Sequence, residues 1–132
     1  MSSVVTIDCL QYCNWSRSIF DQMALGGVDA VHVTICYHED FREMVSNIET
    51  WNRYFQIHSD RIVPGRTAQD VVEAKKQGKT AIIFGFQNCS PILDDIGLIE
   101  VCHQLGVRFM QLSYNNQSVL ACLLYTSDAA DE

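Results

Sequence analysis

Residues 79–116, KTAIIFGFQNCSPILDDIGLIEVCHQLGVRFMQLSYNN, constrain the fold of this chain most, because they read as strand, helix and strand with polar groups crowded at both strand ends. Ala81-Ile82-Ile83-Phe84 is a continuous apolar run of the kind buried on both faces of a parallel sheet, and residues 107–112 form another. Between them, Ser90 and Pro91 supply a helix start. Ile92, Ile96, Ile99 and Cys102 recur at helical spacing, and Gly106 stands where a left-handed cap closes a helix. In such a βαβ unit the groups that do chemistry collect just after the strands, which singles out Phe86, Gln87 and Asn88 on one side and residues 113–116 on the other.

The rest of the chain repeats this alternation without a linker. A strand is expected over residues 4–9 and a helix over about 16–25, with Ile19, Phe20, Met23 and Ala24 on its buried face and Gly26-Gly27 as its stop. A second strand covers 28–36. Asp40 with Glu43 forms a capping box for a helix to about residue 58, whose buried stripe is Phe41, Met44, Val45, Ile48, Trp51 and Phe55. A short strand or turn at Ile62-Val63, ended by Pro64-Gly65, precedes a helix capped by Thr67, faced by Val71, Val72 and Lys75, and closed by Gly78. Strict alternation of strand and helix predicts a parallel sheet with its helices outside.

The turn Gly85-Phe86-Gln87, followed by Leu105-Gly106-Val107-Arg108-Phe109-Met110-Gln111-Leu112-Ser113-Tyr114-Asn115, resembles the membrane (renal) dipeptidase family of zinc metallopeptidases. There the text reads roughly G-x-E-G and then L-G-V-R-Y-x-x-L-T-H-x-x-N. The likeness extends back through Gly26-Gly27-Val28-Asp29-Ala30 to Ile7-Asp8, covering about residues 3–121. It implies a (β/α)₈ TIM-like barrel. Since such a barrel takes about 250 residues, the 132 present here are expected to form its amino-terminal half, a truncated domain over residues 1–121. Half a barrel leaves two unpaired strand edges and an unfilled inner face, so the fragment is expected to aggregate or form a homo-oligomer.

Composition narrows the partners. A net charge of −7 without a Lys/Arg cluster argues against nucleic acid. The apolar runs are strand-length and no basic, hydrophobic leader opens the chain, which predicts no membrane span and a cytoplasmic location. Six cysteines at irregular spacing, without a paired C-x-x-C, read as free buried thiols. The last eleven residues, Cys122 to Glu132, reverse-translate cleanly to a transposase adapter used in short-read DNA library preparation, so residues 122–132 are expected to be a non-native tail. Without Asp128, Asp131 and Glu132, the charge becomes −4.

The resemblance also implies a chemistry. Family members hold two zinc ions through an H-x-D pair after the first strand and a bridging Glu in G-x-E-G, and the metals lower the pKa of a bridging water that attacks the peptide carbonyl. In this chain the H-x-D positions fall on Leu10 and Tyr12, and the bridging position is Gln87. The position of the family's substrate-binding histidine is Tyr114. Two further zinc-binding histidines are implied beyond Ala121. Neither an aliphatic side chain nor a neutral amide supplies the charge that holds two divalent cations close together.

Other residues at the sheet's carboxyl end are His38, flanked by Tyr37 and Glu39, which could meet Gln87, Asn88, Tyr114 and Asn116 as a substrate-binding set for a small peptide or amide. His32 and His103 read as packed or surface histidines, Asp8 as a local hydrogen-bond acceptor, and Cys9 and Cys13 as structural thiols with no evident partner base. Two functions follow. One is a metallohydrolase that cleaves dipeptides, of which this truncated chain would be an inactive part. The other is a relative without the paired zinc ions, binding a small ligand or running altered chemistry.

Overall fold

The computed structural model describes residues 4–115, 118, 120 and 121, so Asn116 and the 122–132 tail lie outside the described residues. The chain runs β1 (Ile7–Gln11), α1 (Arg17–Leu25), β2 (Ala30–Cys36), α2 (Phe41–Ile57), β3 (Ile62–Pro64), α3 (Ala68–Lys76), β4 (Thr80–Phe86), α4 (Leu98–Gln104) and β5 (Val107–Met110). All strand pairings are parallel, in the order β1-β2-β4. The far edge of β4 is shared. Short β3 pairs with Thr80, Ala81 and Ile82, while β5 pairs higher up with Phe84, Gly85 and Phe86. Parallel strands alternating with helices match the α/β reading.

Side-chain alternation along the strands builds two cores. Val31, Val33 and Ile35 of β2 and Ile82, Phe84 and Phe86 of β4 join Phe20 and Met23 of α1, Met44, Ile48 and Trp51 of α2, and Cys102 of α4. The intervening residues Ala30 and Ala81, with Val63 and Ile83, pack instead on Val71 and Ala74 of α3. Thus α3 covers the opposite, concave face at the amino ends of the strands. That departs from the expectation of helices outside only. Its small contact residues let α3 lie close to the sheet, and a partly buried ion pair fixes it: Lys75 Nζ donates to Asp29 Oδ2 at 2.7 Å, and the same oxygen accepts the Thr6 amide at 2.8 Å.

Caps form as the sequence predicts at Asp40/Glu43 and at Thr67, where Asp70 also completes a capping box. Gly106 has φ 105° and closes α4. Three expectations need correction. The first strand runs over Ile7–Gln11, later than residues 4–9, because a bulge between Asp8 and Gln11 carries it on beside β2. The helix expected from Ser90 starts only at Leu98: Leu93 takes φ 50°, and the Asp95 carboxylate accepts the Gly97 amide, so residues 91–97 form turns. Ile92 still enters the core, but Ile96 and Ile99 are 74% and 46% exposed, and the inward residues are Leu98, Cys102 and Leu105. Val45 and Val72, read as buried, are exposed at the margins of their helices.

Arg108, the arginine of the Leu-Gly-Val-Arg run, is accounted for structurally. Its guanidinium donates to the carbonyls of Arg66 (2.7 Å), His103 (2.8 Å) and Val107 (2.8 Å), satisfying acceptors at the end of α4 and in the β3–α3 loop.

Burial alone would raise the Asp29 carboxyl, but Lys75 and the Thr6 amide outweigh it and hold its pKa below the usual carboxylate range. A depressed carboxylate contributes stability above its unfolded pKa, near about 4, and that contribution is lost as pH falls through the folded value. Asp29→Asn is therefore expected to cost about 2 kcal/mol at neutral pH, with the difference from wild type shrinking below about pH 4. Urea unfolding at fixed protein concentration checks both; a pH-independent difference would refute the pairing as its source.

On the concave face Ile7, Leu10 and Phe109 stay about half exposed (49, 47 and 51%), as does Leu112 just past β5 (55%). Such apolar surface beside open strand edges is expected to drive residues 1–132, expressed alone, to self-associate. A monomeric species with a cooperative melt in analytical ultracentrifugation and calorimetry would contradict this.

Candidate functional site at the carboxyl end of the sheet

The β1 bulge places Cys9 and Leu10 together at the rim of a concavity of about 250 Å³, lined also by His32, Gln87, Phe109 and Gln111. Its floor is a stack across three strands. The His32 ring, from β2, lies over Gly85 of β4 and stacks on Phe109 of β5, with centroids 4.8 Å apart. A Cβ at position 85 would sit 1.8 Å from His32 Nε2, so only glycine admits the ring. Gly85 is thus an in-strand residue chosen by close approach, whereas the sequence suggested a turn. His32 Nδ1 lies 2.7 Å from the Cys9 carbonyl and donates to it, leaving Nε2 buried with no partner. Burial pushes the imidazole pKa down despite that bond, so the ring is neutral.

Above this floor, the Gln87 side chain is 4% exposed and donates from Nε2 to Thr34 Oγ1 at 2.7 Å. Tyr37 lies farther out, and the nearby Tyr114 phenol, with partial desolvation, pushes its pKa up. Tyr37 meets Tyr114 edge-on at 4.8 Å and Tyr12 at 5.2 Å; His38 lies 6.3 Å from Tyr114. Of the predicted set, Gln87, Tyr114 and His38 therefore gather around Tyr37. Asn88 is buried, its Oδ1 without a protein partner. Asn116 lies outside the described residues.

His38 is exposed, and its amide, like that of Tyr37, donates to Glu39 Oε2. Burial would raise the Glu39 carboxyl, but these amides outweigh it and hold it ionised. Sequence reasoning underweighted Tyr12, Tyr37 and Thr34. Only Thr34, inside a strand of otherwise apolar or packed residues, carried a signal. His103 is exposed on α4, and Asp8 accepts the Leu10 amide at 3.2 Å, as a local acceptor would. Of the thiols read as buried, Cys36, Cys89 and Cys102 are buried, whereas Cys13 is half-buried and Cys9 is exposed at the rim; burial raises Cys13, Cys89 and Cys102 and pushes Cys36 up to about 12, while Cys36 and Cys89 donate to backbone carbonyls.

The donors at the implied ligand positions do not fit a paired-cation site. Leu10 has no ligand atom, Tyr12 is 72% exposed and rests against Tyr37, and the Gln87 amide is neutral and bonded to Thr34. Among the described residues no three His, Cys, Asp or Glu side chains come together as metal ligands.

Residues 17–130 match the family model for membrane dipeptidase, peptidase family M19. A dipeptidase, tcpJ, of Claviceps purpurea (strain 20.1) is 27% identical over 104 residues, which are 79% of this chain but 22% of that protein. Among solved structures, an amidohydrolase from Pseudomonas aeruginosa superposes with TM-score 0.82 at 38% identity, over 87% of this chain and 35% of its own. The probable dipeptidase PvdM of the same organism shares the fold, with TM-score 0.70 at 13% identity, over 85% and 35% respectively. The chain thus spans about a fifth of the curated relative and about a third of these structures.

Gly85→Ala is expected to destabilise the fold by about 3 kcal/mol by driving a methyl into the His32 ring, and Gly85→Ala with His32→Ala to recover more than half of that. Because the neutral His32 of the folded state binds fewer protons than the unfolded chain, its contribution falls as pH drops through about 6.5. Additive losses in the double-mutant cycle would show that the two residues do not interact.

Proposed function

This chain belongs to the membrane dipeptidase family, and on that premise we propose that its barrel mouth takes a short peptide or related amide through neutral hydrogen bonds, without the paired zinc ions the resemblance implies. One observation carries the reading: Leu10, Tyr12, Gln87 and Tyr114 together replace ionic or imidazole positions with aliphatic, phenolic and amide groups. The residues at hand suit such a ligand. The Gln87 carbonyl, the Tyr37 and Tyr114 hydroxyls and the Gln111 amide offer donors and acceptors of a kind that complements a peptide group, over a floor formed by His32 and Phe109. His38 and Asn88 border the same region and are proposed as secondary contacts, as is Asn116.

A second reading, hydrolysis of dipeptides by zinc-activated water, is favoured by the family match and by the relatives' names. Under either reading residues 1–132 alone are proposed to be inactive, since the mouth of a closed barrel draws on all its strands. We further propose that residues 122–132 are adapter-derived, on the strength of their reverse translation.

Metal analysis and peptidase assays on the uninterrupted protein decide between the two. Wild type is expected to purify with well under two zinc ions per chain and to bind dipeptides without turnover, while L10H, Y12D and Q87E combined raise its zinc affinity by about tenfold or more. Stoichiometric zinc pairs with rapid dipeptide cleavage in the wild type would reverse the assignment.

A further inference from the structure

A second cavity, of about 230 Å³, lies on the helix side of the β1–α1 loop, apart from the mouth's floor. Both tryptophans of the chain, Trp15 and Trp51, line it together with Tyr12, Tyr54, Glu39 and Asn47. Trp15 meets Trp51 at 5.1 Å with planes 64° apart, and Tyr54 meets Trp51 at 5.4 Å and 88°. Trp15 and Tyr54 each meet Trp51 at a steep angle, which makes a corner rather than a stack. Trp51 is held rigidly as its base, 4% exposed and backed by Phe55 and Phe84.

The polar groups around this corner narrow the ligand. Asn47 Nδ2 donates to the Ile35 carbonyl at 2.9 Å and Thr50 Oγ1 to the Ser46 carbonyl at 3.2 Å, so these donors are committed within the protein. No lysine or arginine lines the cavity. The lining further holds the hydroxyls of Tyr12, Thr34 and Tyr54, the Cys13 thiol, the aromatic rings, and one formal charge, the carboxylate of Glu39. Ring quadrupoles attract a cation placed over them, most strongly one with a soft, weakly hydrated shell. Glu39 stays charged because the amides of Tyr37 and His38 hold its Oε2.

We infer that this aromatic corner is a binding site for a small organic cation of the quaternary or alkylated ammonium type, with Trp15, Trp51 and Tyr54 as its walls and Glu39 as its counter-charge. Tyr12 and Thr34 border both this cavity and the mouth, but none of the three walls nor Glu39 occupies an implied metal-ligand position. Zinc content and dipeptide turnover therefore test the proposed function without moving this inference.

Saturation-transfer difference NMR, which tolerates self-associated protein, tests it on the full 132-residue chain. Tetramethylammonium is the probe and tert-butanol, of similar shape but uncharged, its control. The expected result is saturable transfer to tetramethylammonium, with affinity about fivefold or more above tert-butanol. Glu39→Gln, which keeps an acceptor for the two amides, should erase most of that preference, and Trp15→Leu should weaken tetramethylammonium binding. Equal binding of the two probes, no saturable signal, or an unchanged preference in Glu39→Gln would overturn the inference. A preference kept in Trp15→Leu would exclude Trp15 as a wall and refute the site as drawn.

Discussion

Strand β4 is the constraint on which the rest of the structure depends. It is hydrogen-bonded to β2 along its length on one side and to β3 and then β5 on the other, and its side chains enter both cores in alternation. A strand in that position tolerates no polar group in its middle that lacks a partner. Its sequence obeys this. Polar Thr80 closes its lower end by donating to the Val28 carbonyl at 2.8 Å, four apolar residues follow, and Gly85 appears where a neighbour's ring needs the space. Gln87 follows its last residue, so the chemistry of the mouth is fixed by the same register that fixes the cores.

That dependence explains what the sequence revealed and what it concealed. Periodicity and caps depend on residues near in sequence, so the capping boxes at Asp40 and Thr67 and the strands around Ile82 and Val33 were legible. The path of residues 91–97 was not. Pro91 and spaced isoleucines look like a helix start, but Leu93 adopts a positive φ and Ile92 is pinned by burial, a tertiary outcome overriding local preference. Likewise, nothing in Val71 or Ala74 announces that α3 crosses to the concave face; Lys75 meeting Asp29, 46 residues away, is what holds it there.

At the mouth, the resemblance located the positions but not their company. Gln87 and Tyr114 were legible as replacements in a known pattern. That Tyr37 would pack against Tyr114, or that His32 would lie on Gly85, depends on which strands become neighbours, and a chain read in order does not display this. The tyrosines at 12, 37 and 114 come from three separate connections, after β1, β2 and β5, and meet only because those strand ends share one rim.

The four replacements at that rim follow from one another. A carboxylate at position 87 would be almost wholly buried, against the Thr34 hydroxyl and below the Tyr37 phenol. With two divalent cations beside it, such a charge is compensated; without them its desolvation costs several kcal/mol, and it would take up a proton or unseat its neighbours. Once Leu10 and Tyr12 stand where metal ligands would be needed, a neutral isostere at 87 is the low-energy answer, and Gln both fills the volume and donates to Thr34. Tyr114, at the position of the implied histidine, packs edge-on against Tyr37 at 4.8 Å. On the proposed reading, the neutral mouth is one coupled rearrangement centred on the buried position 87, and this coupling, more than any single residue, would set it apart from the metal chemistry the family implies.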